Sequence, residues 1–447
     1  MSALTGSNCL SHPGLGQLAY VKAQLSSLAR RPTEQLRPCR LMTDATEQPA
    51  SVGHARLLAT DVWYMILEIV EEETRPVSDL DWDRIDLGRQ SHPMLPFILV
   101  CKAWKAIATP LLYRSASYSK GTSLMKFARH LASYQSNSGS VGDLLHHFTY
   151  WSLPNKDAQS SVDLVVSSSP NLLSFIAAGI LSRTMVQLAD TSTLSLRSLN
   201  VTIDSKESIT PVLFSIGRLK LLHRLTVKQI YRPHPEDVNG VEPPCLPQLR
   251  HLDVYISGYS STSIMAYFYQ GQYSLLQSLV LYDMEDDIEE ALLHFFRSNG
   301  AYLIRIDFID ETERTLFRSL PTDSLPALTH VALVCTVWPT AQWYSRLPSS
   351  ARHLHVRAYM WREDPVEFLV EHLDAEVCGS SGVPFRYIHV DDWSWSDELE
   401  NWSESTRLMV GSAQRLWKMR GISLLDETGL SLESSLKPLS NCTLLDG

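Results

Sequence analysis

LRHLDV, at residues 249–254, decides how this chain folds, because the same frame returns on either side of it at a near-constant interval. LHRLTV begins at Leu222, LQSLVL at Leu276 and LIRIDF at Leu303, three consecutive spacings of 27 residues. Working outward, LRSLNV begins at 196, a weaker LLSFIA at 172 and LHHFTY at 145. On the other side LTHVAL begins at 328, ARHLHV at 351 and FRYIHV at 385. The full run of intervals is 27, 24, 26, 27, 27, 27, 25, 23 and 34. Within each copy apolar residues alternate, as a strand with one buried face requires. Between copies the period becomes helical: Ile288, Leu292, Phe295 and Phe296 form one stripe, and Val366, Leu369, Val370 and Leu373 another. Strand, turn, helix and return make one coil of a stacked array.

The interval falls in the 20–29 residue range of leucine-rich repeats, so the expected fold class is α/β, with a leucine-rich-repeat-like solenoid over residues 136–393. An Asn or Cys three places after the last leucine is mostly missing, so a regular asparagine ladder is not expected. A doubly wound α/β domain also alternates strands and helices. Its strands would not repeat L-x-x-L-x-L in phase.

Residues 1–53 mix Ser, Pro, Arg and Gln without a sustained period and read as a poorly ordered tail. A small helical domain is expected over 54–135. There Thr60 caps a helix whose Val62, Ile66, Ile69 and Val70 share a face. A second helix from Pro96 aligns Phe97, Val100, Trp104 and Ile107, and Pro110 is expected to break it, with Leu111, Leu112 and Tyr113 opening the next element. A third helix is expected over Ser123 to Tyr134. Residues 394–447 read as a C-terminal cap and tail, with Ser396 capping a closing helix and Trp393, Trp395 and Trp402 covering the open end.

With 39 basic and 49 acidic side chains the formal net charge is −10, which disfavours a broad grip on nucleic acid. No apolar run is long enough to span a bilayer, and the first residues lack the pattern of a secretory signal. Seven scattered cysteines with no C-x-x-C pair read as reduced thiols, so a cytoplasmic or nuclear location is expected. Phosphate-binding glycine loops, a nucleophile elbow and H-E-x-x-H are all missing, and no enzymatic activity is expected. His147, His251, His330 and His353 share one frame position and read as polar strand positions. The His353/His355 pair has no third ligand in view, and Asp79, Asp81 and Asp83 lack the glycine and glutamate of a calcium loop. No metal and no cofactor is expected.

The stretch LLATDVWYMILEIV, with LVCKAWKAIATPLLYRS after it, resembles an F-box, most like those of fungal F-box proteins that carry leucine-rich repeats. Leu58, Asp61 and Val62 stand in the opening motif, with Ala59 where proline is usual, and Ile66 and Ile69 take the family's hydrophobic places. Leu99, Val100, Cys101, Lys102, Trp104, Pro110, Leu111, Leu112 and Tyr113 carry the closest match, while the Glu71–Pro93 loop is longer than usual. The resemblance covers about sixty residues and the array that commonly follows. It implies the substrate-recognition subunit of a Skp–cullin–F-box ubiquitin ligase. A Skp-type adaptor would be bound through Leu58, Asp61, Val62, Ile66, Leu99, Val100 and Lys102, and Trp104 would be core. An unidentified protein substrate would then lie on the strand face. Alternation places outward there Lys228, His251, Asp253, Tyr255, Tyr282, Arg305, His353, Arg357, Tyr387 and His389. Two other readings stay open: a repeat scaffold without ligase association, and an α/β enzyme of unknown reaction.

Overall fold

Each copy of the frame becomes a strand, and its leucines become the core. In the computed structural model the described residues are 63–69, 94–99, 102–133, 135–136, 139–152, 156–203, 208–229, 241–256, 261–282, 289–309, 324–335, 347–358, 384–391, 402–426 and 428–432. The chain divides into two compact units between Leu112 and Tyr113.

In the first unit residues 63–69 are helical, and helices Leu95–Ile98 and Lys102–Arg114 follow. Leu67, Met94, Ala108 and Leu111 bury one another, with Phe97, Ile98, Ile107 and Leu112 packed against them. Trp104 lies half-buried, its ring 4.8 Å from Trp63 and 5.5 Å from Phe97. Pro110 does not break its helix, contrary to the sequence expectation: it sits inside Lys102–Arg114. A helix-interior proline costs roughly 3 kcal/mol through its missing N–H and its ring. Fully buried Ala108 and Leu111 on either side offset that cost and carry the helix past it.

The second unit is built on one long sheet with its helices, beside a two-residue pairing of Gln135–Ser136 with Gly139–Ser140. Among the described residues the strands of the long sheet are β1 (Ser115–Tyr118), β2 (His147–Tyr150), β3 (Ser174–Ile180), β4 (Ser198–Ile203), β5 (Arg224–Gln229) and β6 (His251–Ile256). They continue with β7 (Ser278–Leu281), β8 (Arg305–Ile309), β9 (His330–Cys335), β10 (His353–Ala358), β11 (Tyr387–Asp391) and β12 (Ser423–Leu425). All twelve lie side by side in chain order and pair in parallel, the arrangement of a repeat solenoid. Parallel neighbours need a crossover connection, and the recurring interval supplies one each time.

Register follows the frame. Leu225, Leu252, Leu279, Ile306, Val331 and Leu354 form one buried row across β5–β10, and Val227, Val254, Leu281, Phe308, Leu333 and Val356 a second. The frame also starts three residues earlier than the L-x-x-L-x-L copies. Leu219, Leu246, Tyr273, Gly300 and Leu325 are buried, and the carbonyl of each accepts from the N–H three residues on, at 3.1–3.3 Å. That turn aims the chain into β5 to β9, where the working frame is L-x-x-L-x-x-L-x-L with Tyr273 and Gly300 as variants.

Several helices return behind the sheet. Lys156–Ser168 buries Ala158, Val162, Val165 and Val166, and Glu289–Asn299 buries Leu292, Phe295 and Phe296. The helix expected at Ser123–Tyr134 forms as Gly121–Ser133, but its Leu124, Ala128 and Leu131 join the array's core. The division therefore falls earlier than residue 135. The sheet also outruns the 136–393 span at both ends, because Ser115–Tyr118 opens it and Ser423–Leu425 closes it. The closing segment supplies the helix Glu404–Met419, with Trp417 fully buried and Trp402 partly so, and then a strand. The tail, Ser396, Trp393, Trp395, the 79–90 loop and the 366–373 stripe lie outside the described residues.

One asparagine does what the missing ladder would have done. Buried Asn299 accepts the Tyr273 N–H at 2.8 Å and donates to Gly271 O at 3.1 Å and Phe295 O at 3.3 Å. Asn299→Ala leaves the Tyr273 N–H buried without that acceptor. The expected loss is ~1–3 kcal/mol, read as a lower urea midpoint.

Candidate functional site

Alternation along the strands sends two kinds of residue in opposite directions: the leucine rows enter the core, and the positions between them line the other face. Of the residues expected on that face, His251, Arg305, His353 and Tyr387 fall in one cross-strand row, running His251–Ser278–Arg305–His330–His353–Tyr387. Asp253 and His389 belong to the next outward row, Asp253–Val280–Asp307–Ala332–His355–His389. Lys228 pairs with Tyr255 one row further along. Arg357 holds its place in the β10 ladder between Val334 and Asp391, and its side chain lies outside the described residues.

Two clusters stand out. In the first, the Tyr255 and Tyr282 rings lie 4.6 Å apart, beside Asp253. Burial raises the Asp253 carboxyl above its ordinary value, against the pull of Lys228 and a hydrogen bond from Tyr282. Burial, with Asp253 next to it, pushes the Tyr282 hydroxyl well up, so it stays a donor at any physiological pH. Thr226 at the same level is almost fully buried. The strand face is therefore a packed surface there, drier than a bare solvated sheet.

In the second cluster four imidazoles stack over β9–β11. His330 lies 4.3 Å from His353, His355 lies 4.2 Å from His389, and His353 Nδ1 and His389 Nε2 share a hydrogen bond of 3.1 Å. The Tyr387 ring continues the stack at 4.7 Å from His353. Burial first, then His353, His355 and Arg305, lower His330 to about 4. His353 is lowered by burial and by His355. Both shifts favour the neutral ring at His330 and His353. Among the described residues no group of three or more His, Cys, Asp or Glu is arranged to hold a metal ion.

The sign of the pH effect follows. Between pH 6.5 and about 4 the unfolded chain binds a proton at residue 330 that the folded chain does not. That contribution to stability is complete above pH 6.5 and lost as pH falls toward 4. The thermal midpoint is expected to drop between pH 7 and pH 5, and His330→Phe, which keeps a stacking ring, should reduce the drop.

The remaining contacts are local. Arg305 Nε donates to Asp307 Oδ1 at 2.6 Å, and His251 Nδ1 shares a 3.0 Å hydrogen bond with Ser278 Oγ. Of the positions assigned to adaptor binding, Leu99 is 78% exposed, Lys102 is exposed and Ile66 is half-buried. Leu58, Asp61, Val62 and Val100 lie outside the described residues. Sequence reasoning placed His330 in the frame but not in the site. The shared frame position of His147, His251, His330 and His353 was the available signal, and all four do fall in one row.

Among the described residues no helix is long and apolar enough to cross a membrane. No protein-family model matches the chain, and no curated protein matches it. Over 86% of its length the fold is similar to 94% of a chain in the crystal structure of the Rad7 and Elc1 complex in yeast, at 11% identity and a TM-score of 0.30, too distant a likeness to carry an argument.

Proposed function

We propose that this chain is the substrate-recognition subunit of a Skp–cullin–F-box type ubiquitin ligase, in which residues 54–112 bind the adaptor and the strand face of the array binds a protein. The observation that supports it most is the outward face itself. Across β6–β11 it carries Tyr255, Arg305, Tyr387 and a run of histidines in the strand ladders, with the Tyr282 ring against Tyr255 just past β7, the aromatic and arginine mixture favoured at protein interfaces. The resemblance of the first helical unit to an F-box, with Leu99 standing in solvent, supports the adaptor half. The receptor has no reaction of its own. It acts by holding a substrate near a separate ubiquitin-conjugating enzyme, in the cytoplasm or nucleus.

Affinity purification of the full chain from its native cell, with the ligase inhibited, tests this. The expected result is recovery of a Skp-type adaptor and a cullin, together with a protein whose level rises when the chain is depleted. Recovery of partners without adaptor or cullin would favour the interaction scaffold instead.

A further inference from the structure

Sequence spacing couples His353 to His355, but the fold couples His353 to a different histidine. β10 and β11 pair His353 with Tyr387 and His355 with His389, so His353 and His389 stand diagonally across the two strands. Leu354 and Val356 on one strand, and Ile388 and Val390 on the other, are buried, which turns the imidazoles between them to the outward face. His353, His355 and His389 are half-buried there, so solvent reaches them. Across the diagonal His353 Nδ1 and His389 Nε2 meet at 3.1 Å, with their ring centroids 5.4 Å apart and their planes at 29°. Each ring is held by its faces. His353 stacks with His330 on β9, at 4.3 Å and 10°, and with Tyr387 on β11, at 4.7 Å and 18°. His389 stacks with His355, at 4.2 Å and 7°. The stacking fixes the tilt of both rings and leaves their nitrogens edge to edge. The expectation of no metal rested on the His353/His355 pair, and spacing alone does not show a partner 36 residues away in the chain.

We propose that His353 Nδ1 and His389 Nε2 form a two-point clamp for a divalent transition-metal ion of the zinc or copper kind, open to solvent at its remaining coordination positions. The distance between the two nitrogens carries the assignment. Zinc–nitrogen bonds of about 2.0–2.1 Å at a tetrahedral angle put two nitrogens roughly 3.3 Å apart. The right angle of a tetragonal copper(II) site draws bonds of similar length in to roughly 2.8–2.9 Å. The observed 3.1 Å lies between these, so a small ring movement fits either ion. Imidazole suits zinc, copper and nickel, whereas magnesium and calcium take oxygen ligands. In the His353–His389 hydrogen bond one nitrogen carries the proton and the other accepts it. As the ion enters, that proton passes to the other nitrogen of the donor ring, each ring gives the ion one lone pair, and water leaves the ion's shell. A neutral pair therefore releases no net proton. Among the described residues no group of three or more His, Cys, Asp or Glu is arranged to hold a metal ion, so the chain supplies two ligands and water fills the other positions. Asp307, in the same cross-strand row as His389, is taken by Arg305 at 2.6 Å. The site goes beyond the receptor reading and does not depend on it.

The test is isothermal titration of the full chain with ZnCl2, beside the double variant His353→Phe, His389→Phe, which keeps both stacking rings and loses both nitrogens. The original chain is expected to bind one equivalent of zinc more than the double variant, or the same equivalent at least tenfold tighter. MgCl2 and CaCl2 at the same concentrations should give no resolvable heat. Zinc should also raise the thermal midpoint of the original chain by more than that of the double variant, as a ligand of the folded state does. His355→Phe keeps a ring against His389 without a nitrogen, and it should bind zinc as the original chain does, because His355 positions the clamp and is not a ligand. One measurement needs no variant: with one equivalent of CuCl2, the electron paramagnetic resonance spectrum of the original chain should show coupling to two imidazole nitrogens. Equal zinc binding by the original chain and the double variant, loss of binding in His355→Phe, or a copper spectrum with fewer than two coupled nitrogens would overturn the clamp.

Discussion

Gly142→Ala and Gly300→Ala are each expected to unfold part of the array, although each adds a single methyl group. Both glycines occupy the turn three residues ahead of a core leucine, Leu145 and Leu303, and each carbonyl accepts that leucine's N–H at 3.1 Å. A Cβ on Gly142 would be driven into the backbone carbonyl of Ser168, and one on Gly300 into that of Ser324 and to 2.8 Å from Leu325 Cδ2. The obstacle in each case is the backbone of the adjoining coil, which cannot rotate away as a side chain would. Overpacking ordinarily costs about 1–3 kcal/mol, and a backbone obstacle puts these at or above ~3 kcal/mol. Coils depend on their neighbours, so the loss should appear as hydrogen exchange and proteolysis spreading from the altered turn. Gly411 is the control. It lies inside the helix Glu404–Met419 with nothing within 4 Å of an added Cβ, so Gly411→Ala should stabilise by about 0.5–1 kcal/mol. Equal effects at the three positions would contradict the coil packing.

The second large effect concerns the adaptor. Leu99 is 78% exposed at the end of a helical turn, next to a small core of Leu67, Met94, Ala108 and Leu111 that does not include it. Leu58→Asp with Leu99→Asp puts two charges where the receptor reading requires an apolar contact. Burying an unpaired carboxylate costs far more than a leucine contact contributes, so the affinity for a Skp-type adaptor should fall by about a hundredfold or more. The array should keep its unfolding midpoint, because Leu99 stands in solvent outside its core and Leu58 belongs to the same adaptor-binding stretch of the sequence. A double variant that binds adaptor normally would remove Leu58 and Leu99 from the interface.

The phase of the array was legible because every coil must bury the same positions. Residues 145, 172, 196, 222, 249, 276, 303, 328, 351 and 385 all prove buried and all precede a strand by two. The first strand was missed because SASY places Ala116 where the frame has leucine, and the last because Ser423–Leu425 is only three residues long. The turn position was in view in LKLLHRLTV, where Leu219 stands three before Leu222, but Gly142 and Gly300 break the pattern for a packing reason that only the adjoining coil reveals. Which face each residue takes followed from alternation. The imidazole stack did not, since it requires β9, β10 and β11 to keep register across unequal intervals of 23 and 34 residues.

The central claim is that this chain carries an adaptor-binding unit joined to a binding array. Its most direct test is size-exclusion chromatography with light scattering of the purified full chain mixed with a purified Skp-type adaptor. The account predicts a single species whose mass is that of one chain plus one adaptor, and its loss in the Leu58→Asp, Leu99→Asp variant. Two separate peaks at the masses of the free proteins, at concentrations of tens of micromolar, would contradict it.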